Sequence, residues 1–266
     1  MKILKKFIMK GYKNILYCRI CRSKEIETLF SLIEIPIPEV YERNKISALK
    51  KKRFPQTITR CKNCKHIQLK ETINQKNLWN NYTYFSNQTK AIEKHFKKLA
   101  SKIIKNYNLN HEDLVIDIGS NDGSFLKMFK NKTKVLGIDP AKTVAEFAIN
   151  KNKIPTLISY FENKTVQKIK MKYKKAKIIL AFNVFAHTPS MIDFVKCVKK
   201  ILDRKGIFIF EAQYLKDILQ KDILGTFFHE HISHHSVYSL NKLFSSVNLK
   251  FEKIENINIQ KGSILG

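Results

Sequence analysis

Arginine is scarce in this chain, although the chain is strongly basic. Only six of its 50 basic residues are Arg, and 22 acidic residues leave a formal net charge of +28. Because Arg is the residue favoured for bidentate contacts to phosphates and bases, its scarcity disfavours nucleic acid as a partner. We interpret the many lysines as a solvated surface, which could also speed the arrival of an anionic small-molecule substrate.

Long apolar runs are lacking as well. No stretch approaches the roughly 20 apolar residues that a membrane-spanning helix needs. Residues 1–17 mix lysines with apolar residues and have no small-residue cleavage site, which disfavours a signal peptide and indicates a basic amphipathic helix. The sequence therefore predicts a cytoplasmic protein with no membrane partner. An apolar content of 44% over 266 residues provides for one large domain and a small one.

Cysteine is also rare, but four of the five cysteines form two C-x-x-C pairs: Cys18 with Cys21, and Cys61 with Cys64. Two such turns can supply four thiolates to one tetrahedral zinc ion. Disulfides are disfavoured in a reducing compartment, and a redox C-x-x-C would leave the second pair unexplained. Since four thiolates leave no open coordination position, we predict a structural zinc. His66 is interpreted as a partly exposed residue and not as a fifth ligand.

The segment 114–125 has the most informative local pattern. Apolar residues lead to Asp117, and two glycines four residues apart, Gly119 and Gly123, precede an amphipathic stretch. This order is typical of the strand, tight turn and helix at the nucleotide site of a doubly wound α/β sheet. Glycine lets the backbone approach a ligand closely. The next predicted strand ends at Asp139, 22 residues after Asp117, where an acid can accept both hydroxyls of a ribose.

The chemistry of this turn indicates S-adenosylmethionine as the cofactor. The pattern D-x-G-x-x-x-G is neither the dinucleotide fingerprint nor the phosphate loop, and its two acids without a lysine would repel a pyrophosphate. A ligand with a cationic amino-acid end and an adenosine fits better. We predict that Asp117 binds the ammonium end, that Gly119 and Gly123 admit the methionine portion, and that Asp139 binds the ribose. The other predicted cofactor-binding residues are Ser120, Asn121, Phe125, Pro140 and Asn183.

The remaining pattern predicts an α/β fold. A helical period of apolar residues covers 88–107, and helix-length segments separate the strand candidates that follow. These candidates are 113–119, 134–139, 155–160, 177–183, 206–212 and 249–257. Such alternation favours a mainly parallel, doubly wound Rossmann-like sheet with helices on both faces. We predict a zinc-binding module over 1–80, a linking helix over 81–110 and a cofactor-binding domain over 111–266.

Six segments in order resemble one family. They are the paired C-x-x-C turns, Tyr82-Thr83-Tyr84-Phe85-Ser86, Asp117 to Gly123, Gly137-Ile138-Asp139-Pro140, Asn183 to Pro189, and His229-Glu230-His231-Ile232-Ser233. The chain resembles the sugar C-methyltransferases that combine an N-terminal zinc module with a class I methyltransferase core. The resemblance implies S-adenosylmethionine-dependent methylation of a nucleotide-linked keto-deoxysugar in surface-polysaccharide biosynthesis. Its partner would be a small-molecule acceptor.

The resemblance also implies the catalytic residues. His231, His187 and Glu230 are the candidates, and His suits a base because its ordinary pKa is about 6.5. Tyr82, Tyr84 and Phe228 would contact the acceptor. Carbon methylation requires removal of a proton beside a ketone and stabilisation of the enolate.

Two departures from the family pattern leave an alternative open. Family members usually carry a catalytic tyrosine where this chain has Phe228, and they usually continue past Gly262-Ser263-Ile264 into a C-terminal domain. We expect either a truncated sequence or a short form that lacks this domain. The alternative is O-methylation of another surface-polysaccharide precursor, which needs a base but no enolate. A non-catalytic zinc- or RNA-binding protein would not explain the retained acids Asp117 and Asp139.

Overall fold

The computed structural model describes residues 11–38, 42–74, 78, 85–86, 90–257 and 262–266. The strands in these residues are β1 (Tyr12–Asn14), β2 (Ile26–Ile35), β3 (Phe54–Cys61), β4 (Ile67–Leu69), β5 (Glu71–Ile73), β6 (Leu114–Ile118), β7 (Lys134–Asp139), β8 (Thr156–Ile158), β9 (Ala176–Phe182), β10 (Leu202–Gln213), β11 (Ser233–His234), β12 (Glu255–Ile257) and β13 (Ser263–Leu265). The helices are α1 (Lys45–Leu49), α2 (Lys90–Asn106), α3 (Lys142–Asn150), α4 (Asn163–Lys172), α5 (Met191–Ile201), α6 (Leu215–Gln220) and α7 (Val237–Ser245). None of the helices in the described residues is long and apolar enough to cross a membrane.

The chain forms two compact units that are discontinuous in sequence. The first consists of 1–78, 185–192 and 212–266, and the second of 79–184 and 193–211. The bounds expected from the sequence, 1–80, 81–110 and 111–266, were contiguous and stay a prediction. In the structure the cysteine-rich segment belongs to the same unit as the segments that carry His187 and His231.

The second unit is built on parallel strands in the order β10-β9-β6-β7-β8. All five residues of β6, Leu-Val-Ile-Asp-Ile, are buried, as expected for a strand that is covered on both faces. The chain runs outward from β6 through β7 to β8 and then returns to the other side of β6 at β9. This reversal is a topological switch point, where such sheets bind ligands outside the carboxyl ends of their strands. The predicted α/β fold is confirmed.

Helix α2 of the same unit confirms the helical period predicted over 88–107. Its buried residues share one face, because Ile103 lies four positions after Leu99 and three after Ala100. The opposite face carries lysines, which remain in solvent. The apolar stripe therefore determines which side of this helix is buried.

The first unit contains an antiparallel sheet in the order β11-β4-β3-β2 and the separate pair β1-β5. The 39 residues between the two cysteine pairs supply β2, α1 and most of β3. Distant segments share its core, which contains Ile58, Leu69, Ile218, Phe227 and Ile232. Antiparallel pairing of Ser233 with Gln68 joins β11 to β4.

The last strand prediction was partly wrong. Of residues 249–257 only Glu255–Ile257 form a strand, which pairs antiparallel with β13. The Leu249 N–H donates to the Phe244 carbonyl at 3.0 Å, and the Phe251 ring packs against Phe244 with centroids 5.3 Å apart. The apolar residues at 249 and 251 thus close the end of α7 and do not extend a strand.

Candidate functional site

The glycine turn after β6 has a backbone that requires glycine. Gly119 and Gly123 have φ values of 72° and 74°, and Asn121 between them has 50°. A Cβ at Gly119 would lie 2.5 Å from Val184 Cγ2, and one at Gly123 would lie 3.0 Å from Ile154 Cγ1. The turn is tied to the next strand, because the Gly119 N–H donates to the Ile138 carbonyl at 2.8 Å. A side chain at either glycine would therefore force the turn open.

Two buried carboxylates stand beside this turn. Burial, with a smaller effect of the Asp139 charge, raises the pKa of Asp117 to about 8. Burial also raises the pKa of Asp139 to about 6, although its two oxygens accept the N–H groups of Asn121 and Ala141 at 2.8 Å each. Each oxygen retains a lone pair for a ligand hydroxyl. A cationic ligand would relieve the cost of ionising both acids, so this donor set fits S-adenosylmethionine.

The other predicted cofactor residues have different surroundings. Ser120 is buried, and its Oγ has no hydrogen-bond partner within the part of the chain that the structure describes. Pro140 follows Asp139 and is half-buried, as is Asn183, whose N–H donates to the Glu211 carbonyl at 2.8 Å. Phe125 packs between aromatic rings, with centroids 4.7 Å from Phe96 and 4.8 Å from Phe182. Their cofactor roles stay predictions.

Sequence reasoning missed one polar pair in this unit. The His95 Nε2 lies 2.9 Å from an Oε of Glu211, whose side chain is 3% exposed. Glu211 is at the carboxyl end of the paired part of β10, the edge at which such sheets bind ligands. The available signal was a histidine on the apolar stripe of α2, four residues before Leu99. A histidine on such a stripe needs a partner when it is buried.

The four predicted metal ligands come together in the first unit. The Sγ of Cys18 lies 3.4 Å from that of Cys64, and the Sγ of Cys21 lies 3.6 Å from that of Cys61. All four sulfurs lie within 4.8 Å of one another. Zn–S bonds of about 2.3 Å in a tetrahedron place sulfurs about 3.8 Å apart, whereas a disulfide needs about 2.05 Å. The cluster has the geometry of a closed four-thiolate zinc site.

Both cysteine pairs sit on the same kind of turn. The Arg22 N–H donates to the Cys18 carbonyl and the Lys65 N–H to the Cys61 carbonyl, each at 3.0 Å. Arg22 and Lys65 have φ values of 62° and 57°, the left-handed conformation that closes such a turn. The equivalence of the two turns explains why one spacing recurs in the sequence. Each turn directs two sulfurs to a common centre.

The electrostatics of the cluster also call for a cation. The hydrogen bond with Cys18, followed by burial, raises the pKa of the Cys64 thiol, and burial raises the pKa of Cys21 to about 11. Several adjacent thiols cannot all ionise without a compensating charge. A divalent metal supplies that charge and deprotonates its ligands.

Two of the predicted catalytic histidines are close neighbours in the first unit. The rings of His187 and His231 have centroids 5.0 Å apart. The His187 Nδ1 lies 3.0 Å from the Glu230 carbonyl, and the His231 Nδ1 lies 2.9 Å from the Thr226 carbonyl. A carbonyl only accepts hydrogen bonds, so both Nδ1 atoms carry a proton, and in the neutral form of each ring Nε2 carries the lone pair. Burial, with a smaller effect of His187, holds the pKa of His231 well below its usual range.

Phe228 and the tyrosines complete the predicted acceptor residues. The Phe228 ring lies against His231 with centroids 4.1 Å apart. Tyr82 and Tyr84 lie outside the described residues, so their role stays a prediction. Glu230, whose backbone carbonyl accepts from His187, is buried with 7% exposure.

The neighbouring histidines are structural. His229 is fully buried, and its Nε2 lies 3.2 Å from the Phe54 carbonyl. His234 packs on Phe227 with centroids 4.2 Å apart. The expectation that His66 is partly exposed was wrong: it is fully buried, stacks on His235 and has its Nε2 3.2 Å from the Ser233 Oγ. The pairing of β11 with β4 produces this burial.

Two family models match this chain, one over the glycine turn and one over the cysteine cluster. A family model described as "Methyltransferase domain" matches residues 86–254. A second model, described as "Putative zinc binding domain", matches residues 18–79, which include all four clustered cysteines. The predictions of a class I methyltransferase fold and of a zinc site in the N-terminal region are confirmed.

Individual relatives give the same result. The chain is 28% identical over 249 residues to C-methyltransferase NovU of Streptomyces niveus, covering 93% of this chain and 59% of that protein. It therefore spans about three fifths of the length of the curated relative it matches. The magnesium protoporphyrin IX methyltransferase ChlM of Synechocystis PCC 6803, solved with bound SAH, has a TM-score of 0.51 at 14% identity and covers 72% of this chain and 90% of that one. YcgJ from Bacillus subtilis has a TM-score of 0.50 at 19% identity, covering 62% and 74%. These structural likenesses show the fold.

Proposed function

This chain belongs to the methyltransferase-domain family, and we propose that it methylates a carbon atom of a nucleotide-linked keto-deoxysugar. S-adenosylmethionine would supply an electrophilic methyl group on a sulfonium. Its binding site would be the glycine turn with Asp117 and Asp139. The zinc site would stabilise the fold of the first unit, because its four thiolates leave no position for a substrate.

The observation that carries the proposal is the tautomer of the two adjacent imidazoles. Because the backbone carbonyls of Thr226 and Glu230 accept the Nδ1–H groups, the neutral forms of His231 and His187 both carry their lone pair on Nε2. His231 also stays neutral at pH 7, because burial lowers its pKa. We assign to His231 the removal of the proton beside the ketone. His187 would provide a second imidazole Nε2 that can hold this proton.

The electron balance of this reaction is simple. The electron pair of the broken C–H bond would form the enolate, and the enolate carbon would form the new C–C bond. The S–CH3 bond would break, and its electron pair would stay on sulfur as a neutral thioether. The proton is held on an imidazole Nε2. Glu230 is assigned to a hydroxyl of the sugar, which would orient the reacting carbon.

Phe228 favours a second candidate, O-methylation of a surface-polysaccharide precursor. Its ring beside His231 carries no hydroxyl that could donate to an enolate oxygen. Transfer to oxygen needs one base and no enolate, so the pair His187 and His231 would suffice. Support for carbon methylation comes instead from the alignment with a C-methyltransferase over 93% of this chain.

The nature of the acceptor rests on charge and on the motif resemblance. A net charge of +28 would attract a nucleoside diphosphate carrier. The sugar, and the use of the product in a surface polysaccharide, are inferred from the ordered motifs alone.

The test is incubation of the purified protein with methyl-labelled S-adenosylmethionine and a panel of nucleotide-linked keto-sugars. We expect label in a sugar product, with a carbon-bound methyl signal by NMR. Solvent deuterium should also enter the position beside the ketone when the methyl donor is replaced by its demethylated product. An oxygen-bound methyl without deuterium exchange would establish the second candidate instead. Absence of transfer to every sugar would contradict methylation of a nucleotide-linked keto-sugar.

A further inference from the structure

Arg19, inside the first cysteine turn, is fully buried, and among the residues that the structure describes its side chain donates hydrogen bonds to neutral oxygens only. Its guanidinium donates to the Leu69 carbonyl at 3.0 Å, the Thr72 Oγ1 at 2.7 Å and the Pro189 carbonyl at 3.2 Å. Its backbone N–H donates to the Gln68 Oε1 at 2.8 Å. Burying a charged group is costly unless its donors are hydrogen-bonded, so these contacts hold the guanidinium in place.

The cysteine turn joins Arg19 to the predicted zinc site through geometry. Arg19 directly follows Cys18, and Arg22 directly follows Cys21, so both guanidinium groups branch from residues next to predicted ligands. A zinc ion bound by the four sulfurs, which lie within 4.8 Å of one another, would fix the backbone of this turn. The position of Arg19 is therefore coupled to the occupancy of the metal site.

The third acceptor of Arg19, the Pro189 carbonyl, lies close in sequence to the catalytic candidate His187. Pro189 is two residues after His187, in the segment 185–190 that we call the His187 segment. A second contact joins the same two regions, because the Arg22 guanidinium donates to the Ser190 Oγ at 2.5 Å. The His187 segment is thus held from the zinc turn at two successive residues. At its other end it accepts the Ile232 N–H at the Ala186 carbonyl, at 2.8 Å.

We propose that Arg19 is a positioning residue that ties the His187 segment to the zinc centre, so that zinc occupancy controls the placement of His187. The importance of this placement for catalysis rests on the proposed function, but the tie itself does not. Among the six arginines, Arg19 alone sits between two ligands of one cysteine turn. The planar fork of Arg can reach three acceptors at once, which the ammonium group of Lys cannot do in the same geometry.

The experiment compares backbone hydrogen exchange of full-length wild type, Arg19→Met, Arg19→Lys and Arg60→Met. Arg60 is the matched control, since it precedes Cys61 but is exposed and paired with Glu27. In Arg19→Met, with zinc content still about one per chain, peptides covering 185–192 should exchange about tenfold faster or more. Arg19→Lys should show the same direction. Arg60→Met should match wild type.

Zinc removal provides the second arm. Chelation should speed exchange of 185–192 in wild type and add little in Arg19→Met. In turnover assays, Arg19→Met should raise the acceptor KM about tenfold without changing the affinity for S-adenosylmethionine, whose predicted residues lie in the other unit.

Two results would overturn the tie. One is a rate of hydrogen exchange over 185–192 in zinc-loaded Arg19→Met that equals the wild-type rate. If the Met variant does not fold, the same result in Arg19→Lys would count. The other is equal acceleration in Arg60→Met. The exchange measurement needs no acceptor, so a failed assignment of sugar methylation leaves the test intact.

Discussion

Binding of S-adenosylmethionine should release a proton near neutral pH, because Asp117 is a buried acid that the ligand's ammonium group would ionise. Burial raises the pKa of Asp117 to about 8. About one tenth of Asp117 is therefore ionised at pH 7 before the ligand binds. A cation beside the carboxylate favours the ionised form, so binding and proton release are linked.

The magnitude follows from the ionised fraction. For a pKa of about 8, this fraction rises about 25-fold between pH 6.0 and 7.5. Since binding selects the ionised acid, cofactor affinity should increase with pH by a similar factor, or about 2 kcal/mol. Asp139, with a pKa of about 6, is mostly ionised at pH 7 and adds at most a further factor of about two.

Titration calorimetry at four pH values from 6.0 to 7.5, in two buffers of different ionisation enthalpy, measures both quantities. An α-amino group, with an ordinary pKa of about 7.7–8.0, stays mostly protonated over this window. We expect release of about 0.9 proton at pH 7. Asp117→Asn should bind weakly, with little pH dependence and no release. Asp122→Asn is the control, because Asp122 is buried in the same turn but accepts the Ser124 N–H.

A wild-type affinity that is flat with pH would refute the reasoning. So would an equal proton release in Asp117→Asn, since the proton would then come from another group. If Asp122→Asn alone abolishes the release, the ammonium site is misassigned.

Three further predictions concern the first unit. Cys61→Ser should lower zinc from about one per chain and lower the Tm, measured by metal analysis and calorimetry; stoichiometric zinc in a variant without the four clustered cysteines would contradict the site. His231→Asn should lower turnover by roughly 10²–10⁴-fold with nearly unchanged cofactor affinity, and full activity in both His231→Asn and His187→Asn would mean that neither histidine is the base. Burial lowers the pKa of His234 to about 3 and of His235 to about 4, so their contribution to stability should be lost as pH falls below 6.5, by about 2 kcal/mol for each at pH 5. Urea unfolding of the wild type and of His235→Gln at pH 7 and pH 5 checks this, because the raised pKa values of Asp117 and Asp139 change stability in the opposite direction in both proteins. An equal change with pH in the two proteins would show that the buried imidazole makes no such contribution.

Local patterns determined much of this protein. The two C-x-x-C turns, the glycine pair after β6, the acid that ends β7 and the apolar stripe of α2 were all predicted from short stretches of sequence. In each case the chemistry depends on residues within about one turn of chain, such as the φ > 0 positions that close the cysteine turns. The parallel sheet followed from the alternation of apolar strands with helix-length segments.

Tertiary structure decided which side chains are buried and which groups lie beside them. The sequence shows Arg19, His66 and Glu211 but not their surroundings. The burial of Arg19, the stacking of His66 on His235 and the contact of Glu211 with His95 are visible only in the structure. That residues 1–78, 185–192 and 212–266 form one unit could not be predicted from the sequence either. Contacts between distant segments depend on how whole elements pack, and a short stretch of sequence does not specify that packing. The physical reason is that burial sets the pKa and the partner of a polar side chain, and burial exists only once the chain has folded.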